Sequence, residues 1–239
     1  METLLAFMRR RIARGAPLGL GLTLAGLVVV AAFSLFFFAV DSVMRETNLF
    51  RVDARVHDAV FGAVGPGRED LVWDVTWFGN HDTITALVWL LSAVLVAVRR
   101  PMLAFRVAFA SGVGGLLVAQ LKLFFHRARP LDQVISATGY SLPSGHAFAS
   151  TVFYGMLAYL VWRFVRPPAV RWAAVAAAVV VAGAVGLSRI YLNVHYFTDV
   201  VAGWAMGTAW LTSVLAAVHV AEHGWTMRTR RRVDGRRDG

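Results

Sequence analysis

Residues 18–40 run from one end to the other without a charged side chain. An α-helix of about 20 apolar residues crosses the hydrocarbon core of a bilayer, so this stretch is long enough to span one. Five further apolar stretches follow, at residues 83–98, 102–125, 147–162, 172–187 and 200–220. Several are short for a full span. They reach the required length if flanking arginines and aromatics snorkel to the interface. The pattern predicts an all-α integral membrane bundle of six transmembrane helices. Composition argues against the main alternative, a soluble protein with buried helices: 58% of the 239 residues are hydrophobic and 16% are charged, where soluble domains carry about 25% charged residues.

Arg9, Arg10, Arg11 and Arg14 precede the first stretch, as in a signal peptide. The stretch is too long for a typical cleavable apolar region, and no small-x-small site follows it. It reads as a retained anchor. Six spans put both termini on one side. That side receives Arg99, Arg100, Arg163, Arg166, Arg171 and the basic tail; the other receives Asp41, Glu46, Asp53, Asp58, Glu69, Asp70, Asp74 and Asp82. The positive-inside rule then places both termini in the cytoplasm. The expected organisation is a basic cytoplasmic N-terminus (1–17), a six-span domain (18–220) and a basic cytoplasmic tail (221–239). Within the domain, segment 41–82 lies on the outer face, either as short amphipathic helices on the membrane surface or as a packed loop. The net charge of +10 sits beside apolar runs, so it speaks for topology rather than for nucleic acid. The chain has no cysteine, which removes disulfides, thiolate catalysis and thiolate metal sites.

Three short segments suit phosphate chemistry, and each falls at the same predicted membrane face. His195 and Asp199 are four residues apart. If the last span begins near Val194 they share a helical face. The carboxylate then fixes the imidazole tautomer and leaves the other nitrogen as a nucleophile. Ser144, Gly145 and His146 precede a span. Ser144 is an N-cap candidate, backbone N–H groups there attract anions, and His146 can donate a proton to a leaving oxygen. Lys122 and Arg129 sit two helical turns apart near a span end that Pro130 closes, and Arg189 stands just upstream of His195. Guanidinium forks and an ammonium suit phosphate oxygens. Lys122 is the only lysine among arginines, which suggests that a compact ammonium is needed there. His126 and Arg127 read as span-end cations at the interface.

Taken together, Lys122, Arg129–Pro130, Pro143–Ser144–Gly145–His146, Ser188–Arg189, His195 and Asp199 form the pattern K-x6-RP, PSGH, SR-x5-H-x3-D. This resembles the type 2 phosphatidic acid phosphatase superfamily, which includes membrane lipid phosphatases, bacterial acid phosphatases and vanadium haloperoxidases. The resemblance covers residues 102–220 and is complete at the signature positions. It implies that His195 attacks phosphorus to give a phosphohistidine, that Asp199 orients it, and that His146 protonates the leaving group. Lys122, Arg129 and Arg189, with Ser144 and the Gly145 amide, would hold the phosphoryl oxygens. Positioning and charge stabilisation carry phosphoryl transfer, and three fixed cations supply both. No cofactor and no metal are expected.

The expected activity is hydrolysis of a lipid phosphate or diphosphate, with phosphatidic acid, phosphatidylglycerophosphate and undecaprenyl diphosphate as candidates. The partners implied are that substrate and the surrounding lipids, with no nucleic acid and no obligate protein. A transporter of an anionic substrate would place its charges near mid-membrane between broken helices, whereas these sit at span ends. A vanadate-dependent oxidase shares such a site, and the membrane embedding argues against it.

Overall fold

A computed structural model describes residues 19–45 and 49–234, with side chains at 19–45 and 51–222. The expected basic N-terminus and the tail arginines lie outside the described side chains. Among the described residues eight helices follow in order: α1 Leu20–Met44, α2 Leu49–Val64, α3 Glu69–Trp77, α4 His81–Ala97, α5 Pro101–Phe125, α6 Gly145–Phe164, α7 Pro168–Tyr191 and α8 Phe197–Asp234. No strand occurs among the described residues. Six stretches of the described residues are long and apolar enough to cross a membrane: Leu20–Met44, Glu69–Ala97, Pro101–Phe125, Gly145–Phe164, Pro168–Tyr191 and Phe197–Glu222. The architecture is the expected six-span helical one. It differs at the second span, where α3 leads through the turn at residues 78–80 directly into α4.

Two compact units are distinguished, one formed by Ala32–Leu211 and the other by the chain up to Ala31 with the chain from Thr212. The second unit is helical from Leu20 through its described part, with Leu20, Leu24 and Leu27 exposed. The residues of the candidate site all lie within Ala32–Leu211.

Helix boundaries follow local chemistry. Asn80 caps α4, its side-chain oxygen accepting the Asp82 N–H at 2.8 Å. Helix α4 ends at a left-handed Arg99 (φ 61°), where the Arg100 N–H reaches back to Leu95 O at 2.7 Å and the Arg99 N–H to Val96 O at 2.9 Å. This is the paired closure that stops helices. Pro101 then starts α5 at the first helical position, where its missing N–H costs nothing.

Helix α6 packs against α4, α5 and α7. It also meets α8 closely, since Gly203 lies against the Ser144 carbonyl and Gly155 against Leu211. Ala147, Phe148, Val152, Phe153 and Met156 of α6 are almost fully buried. Outward-facing Phe37, Phe38, Trp89, Leu90, Leu116, Val179 and Val180 are exposed. Large apolar side chains on this scale at the surface mark a lipid-facing protein.

Candidate active site

His195 is presented between two helix ends. Helix α7 finishes at Tyr191, and Asn193 takes the left-handed conformation (φ 50°), which asparagine tolerates. The Asn193 N–H donates to Ile190 O at 3.0 Å and the Val194 N–H to Arg189 O at 3.2 Å. The chain is turned at once, so that His195 follows buried and α8 begins at Phe197. Asp199 is the third residue of that helix. Its Oδ2 accepts the Tyr196 N–H at 3.0 Å, the reciprocal half of a capping box. The same oxygen lies 3.4 Å from His195 Nδ1, a charge contact longer than an ordinary hydrogen bond. The pair therefore straddles a helix start. It does not share a helical face, because the span begins at Phe197 and not near Val194.

Lys122 sits in the last turn of α5, which ends at Phe125 with His126 left-handed. Arg129 is thus on the following loop and not on an extension of the helix. Loop carbonyls hold both cations. Lys122 Nζ donates to Tyr140 O at 2.6 Å. Arg129 donates from Nε to Gly139 O at 3.0 Å, from Nη2 to Thr138 O at 3.2 Å and from Nη1 to Val194 O at 2.7 Å. Arg129 Nη1 also stands 3.2 Å from His195 Nε2. Arg189, in the last turn of α7, donates to Thr76 Oγ1 of α3 at 2.9 Å.

Ser144 occupies the N-cap position of α6, and its N–H donates to Asp199 O at 2.9 Å. Its hydroxyl makes no cap bond. Ser144 Oγ and Arg189 Nε are buried without a hydrogen-bond partner among the described residues, whereas His195 Nδ1 has the 3.4 Å contact with Asp199. Such groups are costly unless a ligand satisfies them. Gly145 follows, its missing Cβ leaving room beside the Lys122 stem. His146 lies within electrostatic reach of Arg189, His195, Lys122 and Arg129. All eight residues singled out from the sequence are thus brought to one place.

Burial pushes His195 down to about 4; Asp199 opposes this, while Lys122 and Arg129 add to it. Burial also lowers the Arg129 guanidinium, again against Asp199. His195 is accordingly a neutral ring, as a nucleophile must be.

Arg127 is not an interface cation. Its Nη1 donates to Asp199 Oδ1 and, at 2.7 Å, to Thr198 Oγ1; its Nη2 donates to Asp53 Oδ2 at 3.0 Å. The guanidinium stacks 4.1 Å from the Tyr196 ring centroid. Asp53 itself, on α2, accepts the Thr198 N–H at 2.9 Å and the Thr198 hydroxyl at 3.0 Å. Sequence reading placed Asp53 only among acids of a surface helix. No spacing signal links it to residues 74 and 145 positions away.

A cavity of about 520 Å³ adjoins the site. Lys122, Gly145 and His146 line it, and the remainder is mostly apolar wall from α4, α5 and α6, including Ile84, Val88, Trp89, Leu116 and Val152.

Residues 102–222 match the PAP2 superfamily. Phosphatidylglycerophosphatase B of Bacillus subtilis is 25% identical over 175 residues, 72% of this chain and 86% of the relative. The crystal structure of a transmembrane PAP2-type phosphatidylglycerolphosphate phosphatase from Bacillus subtilis superposes with a TM-score of 0.71 at 25% identity, covering 78% of this chain and 93% of that one. That of Aquifex aeolicus LpxE superposes with a TM-score of 0.54 at 19% identity, covering 68% and 93%.

Proposed function

The chain belongs to the PAP2 superfamily, and from that premise we propose that it is a multi-pass membrane lipid phosphatase working through a phosphohistidine. The observation that carries this reading is a cluster of three cations and unpaired polar atoms around His195, beside an apolar cavity. The cations suit a phosphate, and the cavity suits the chain attached to it.

The His195 Nε2 lone pair attacks phosphorus, and the P–O bond to the lipid breaks. His146 gives its proton to the departing oxygen. Asp199 stabilises the charge that develops on the ring. Lys122, Arg129, Arg189, the Ser144 hydroxyl and the Gly145 amide hold the non-bridging oxygens. His146 then takes a proton from water, which attacks the phosphohistidine and releases inorganic phosphate with neutral His195. The fixed cations supply the charge stabilisation, and the reaction proceeds without a metal.

Phosphatidylglycerophosphate is the first substrate to test, since the Bacillus relative is named for that activity. Phosphatidic acid and undecaprenyl diphosphate carry the same chemistry. The arginine asymmetry supports a site on the outer face with cytoplasmic termini. The deciding experiment is phosphate release from these three lipids by purified protein in detergent with chelator present. Wild-type turnover by His195→Ala would remove the assignment of the nucleophile.

A further inference from the structure

We propose that Asp53 and Arg127 are positioning residues for the phosphatase reaction, together locking Asp199 and the first turn of α8 so that His195 is held in its attacking orientation. The inference rests on the reading of His195 as nucleophile. Neither residue belongs to the signature positions, and Asp53 lies outside the residues that match the family.

The geometry divides the work. Asp199 is fully buried, and its two oxygens have separate tasks: Oδ2 faces Tyr196 N–H and His195 Nδ1, while Oδ1 receives Arg127. Without Arg127 that oxygen has no other described partner, and the carboxylate is held through Oδ2 alone. Arg127 is itself held from the far side by Asp53, whose side chain is 3% exposed. Asp53 also accepts the N–H of Thr198, an orphan donor of the first helical turn. A carboxylate from α2 thus caps α8 alongside the local Asp199. The Tyr196 ring closes the guanidinium on its flat face. Held this way, the start of α8 cannot slide relative to α2, and His195 lies directly before it.

A salt bridge of this burial is weak support for stability by itself, because desolvation offsets the attraction. Its use as a geometric lock fits better. At metal sites, outer partners that orient a ligating imidazole or carboxylate typically cost about 10- to 100-fold when removed, and a loss of the same order is expected here.

The test uses the full-length protein in detergent, with a lipid phosphate as substrate and inorganic phosphate as competing ligand. Asp53→Asn and Arg127→Gln should each lower kcat by at least about tenfold. The inhibition constant for phosphate should stay within about threefold, because Lys122, Arg129 and Arg189 are untouched. The double variant should fall no further than Arg127→Gln, since the two act as one device. A residue that served only folding would lower the melting midpoint and move kcat and phosphate binding together, which overturns the proposal. So would kcat within about threefold of wild type in both single variants. If Arg127→Gln gives no stable protein, Asp53→Glu decides: it keeps the charge but moves the carboxylate by one methylene. Reduced kcat at unchanged phosphate affinity supports the lock, and wild-type kcat overturns it. His195→Ala runs alongside. Turnover by that variant defeats the nucleophile assignment, whereas a dead His195→Ala beside a wild-type Asp53→Asn defeats the lock alone.

Discussion

Arg129 Nη1 lies 3.2 Å from His195 Nε2. A guanidinium has donors and no acceptor, so Nε2 must present its lone pair and the ring proton must sit on Nδ1. Nδ1 is the nitrogen that faces Asp199. The tautomer follows from the partners on both sides: a cation selects it from the front and a carboxylate from behind. The same nitrogen that Arg129 covers is the one expected to attack. A phosphate entering the site would draw the guanidinium onto its oxygens and uncover the lone pair.

Replacing Arg129 by lysine should therefore do more than weaken charge. The guanidinium spans the carbonyls of Thr138, Gly139 and Val194 while touching His195, and an ammonium cannot span them. We expect Arg129→Lys to lower kcat/KM by about 100-fold or more, the cost of removing one preorganised oxyanion donor. Lys122→Arg should lose activity too, since Nζ sits 2.6 Å from Tyr140 O and a longer, planar head cannot keep that contact in place. Steady-state kinetics on one lipid phosphate checks both; wild-type values would mean the cations are not at the reacting group.

The lowered His195 value makes a prediction about stability. Its ordinary value is 6.5 and its folded value about 4. Between these the unfolded chain binds a proton that the folded chain does not, so acid favours unfolding. Stability contributed by the neutral ring is complete above about pH 6.5, falls as pH drops toward 4, and changes no further below that. His195→Gln removes this contribution. Melting midpoints of the two proteins from pH 7.5 to 4 should diverge, with wild type losing more on acidification. Parallel curves would show that His195 already charges in the folded protein.

Much of this was legible in the sequence because it is local. Apolar runs mark spans, and the cations and histidines of the site lie near the ends of those runs. What escaped was either a matter of one or two residues or of long range. His195 and Asp199 meet across a helix start because Asn193 ends α7 and Asp199 caps α8, a boundary that hydrophobic periodicity cannot locate. Arg127 looks like any cation at a span end until α2 delivers Asp53 to it. An amphipathic helix between two spans carries no sign of which buried group its single inward acid will meet. Thr76 was missed for the same reason. A neutral side chain of α3 gains meaning only when α7 brings Arg189 against it.

Gly203 gives a packing test of the site. A Cβ there would stand 2.6 Å from the carbonyl oxygen of Ser144 and 3.0 Å from Ala147 Cβ. The first contact is backbone, which cannot rotate away. Gly203→Ala should push α8 from the start of α6, at about 1–3 kcal/mol of stability. It should also shift Asp199, whose carbonyl accepts the Ser144 N–H. Activity should fall by more than the loss of folded protein accounts for, as read by active-site titration against melting. Full activity per folded molecule would show that this approach serves packing alone.

The orientation of the site rests on arginine placement and can be read directly, because the chain has no cysteine. Leu131 is 96% exposed on the loop between α5 and α6, and Arg166 is exposed just beyond the far end of α6. One helix long enough to cross a bilayer separates them. A single Leu131→Cys should react with a membrane-impermeant maleimide on intact cells, while Arg166→Cys should react only after lysis. Neither substitution touches a group of the site, so both proteins should retain activity, which verifies insertion. The opposite labelling pattern would turn the protein over and place phosphate release in the cytoplasm. Labelling of both from outside would mean that α6 does not cross. The expected pattern leaves the loop carrying Arg127 and Arg129 facing outward, with His195 beside it, and confines the substrate to lipids whose phosphate is displayed in the outer leaflet.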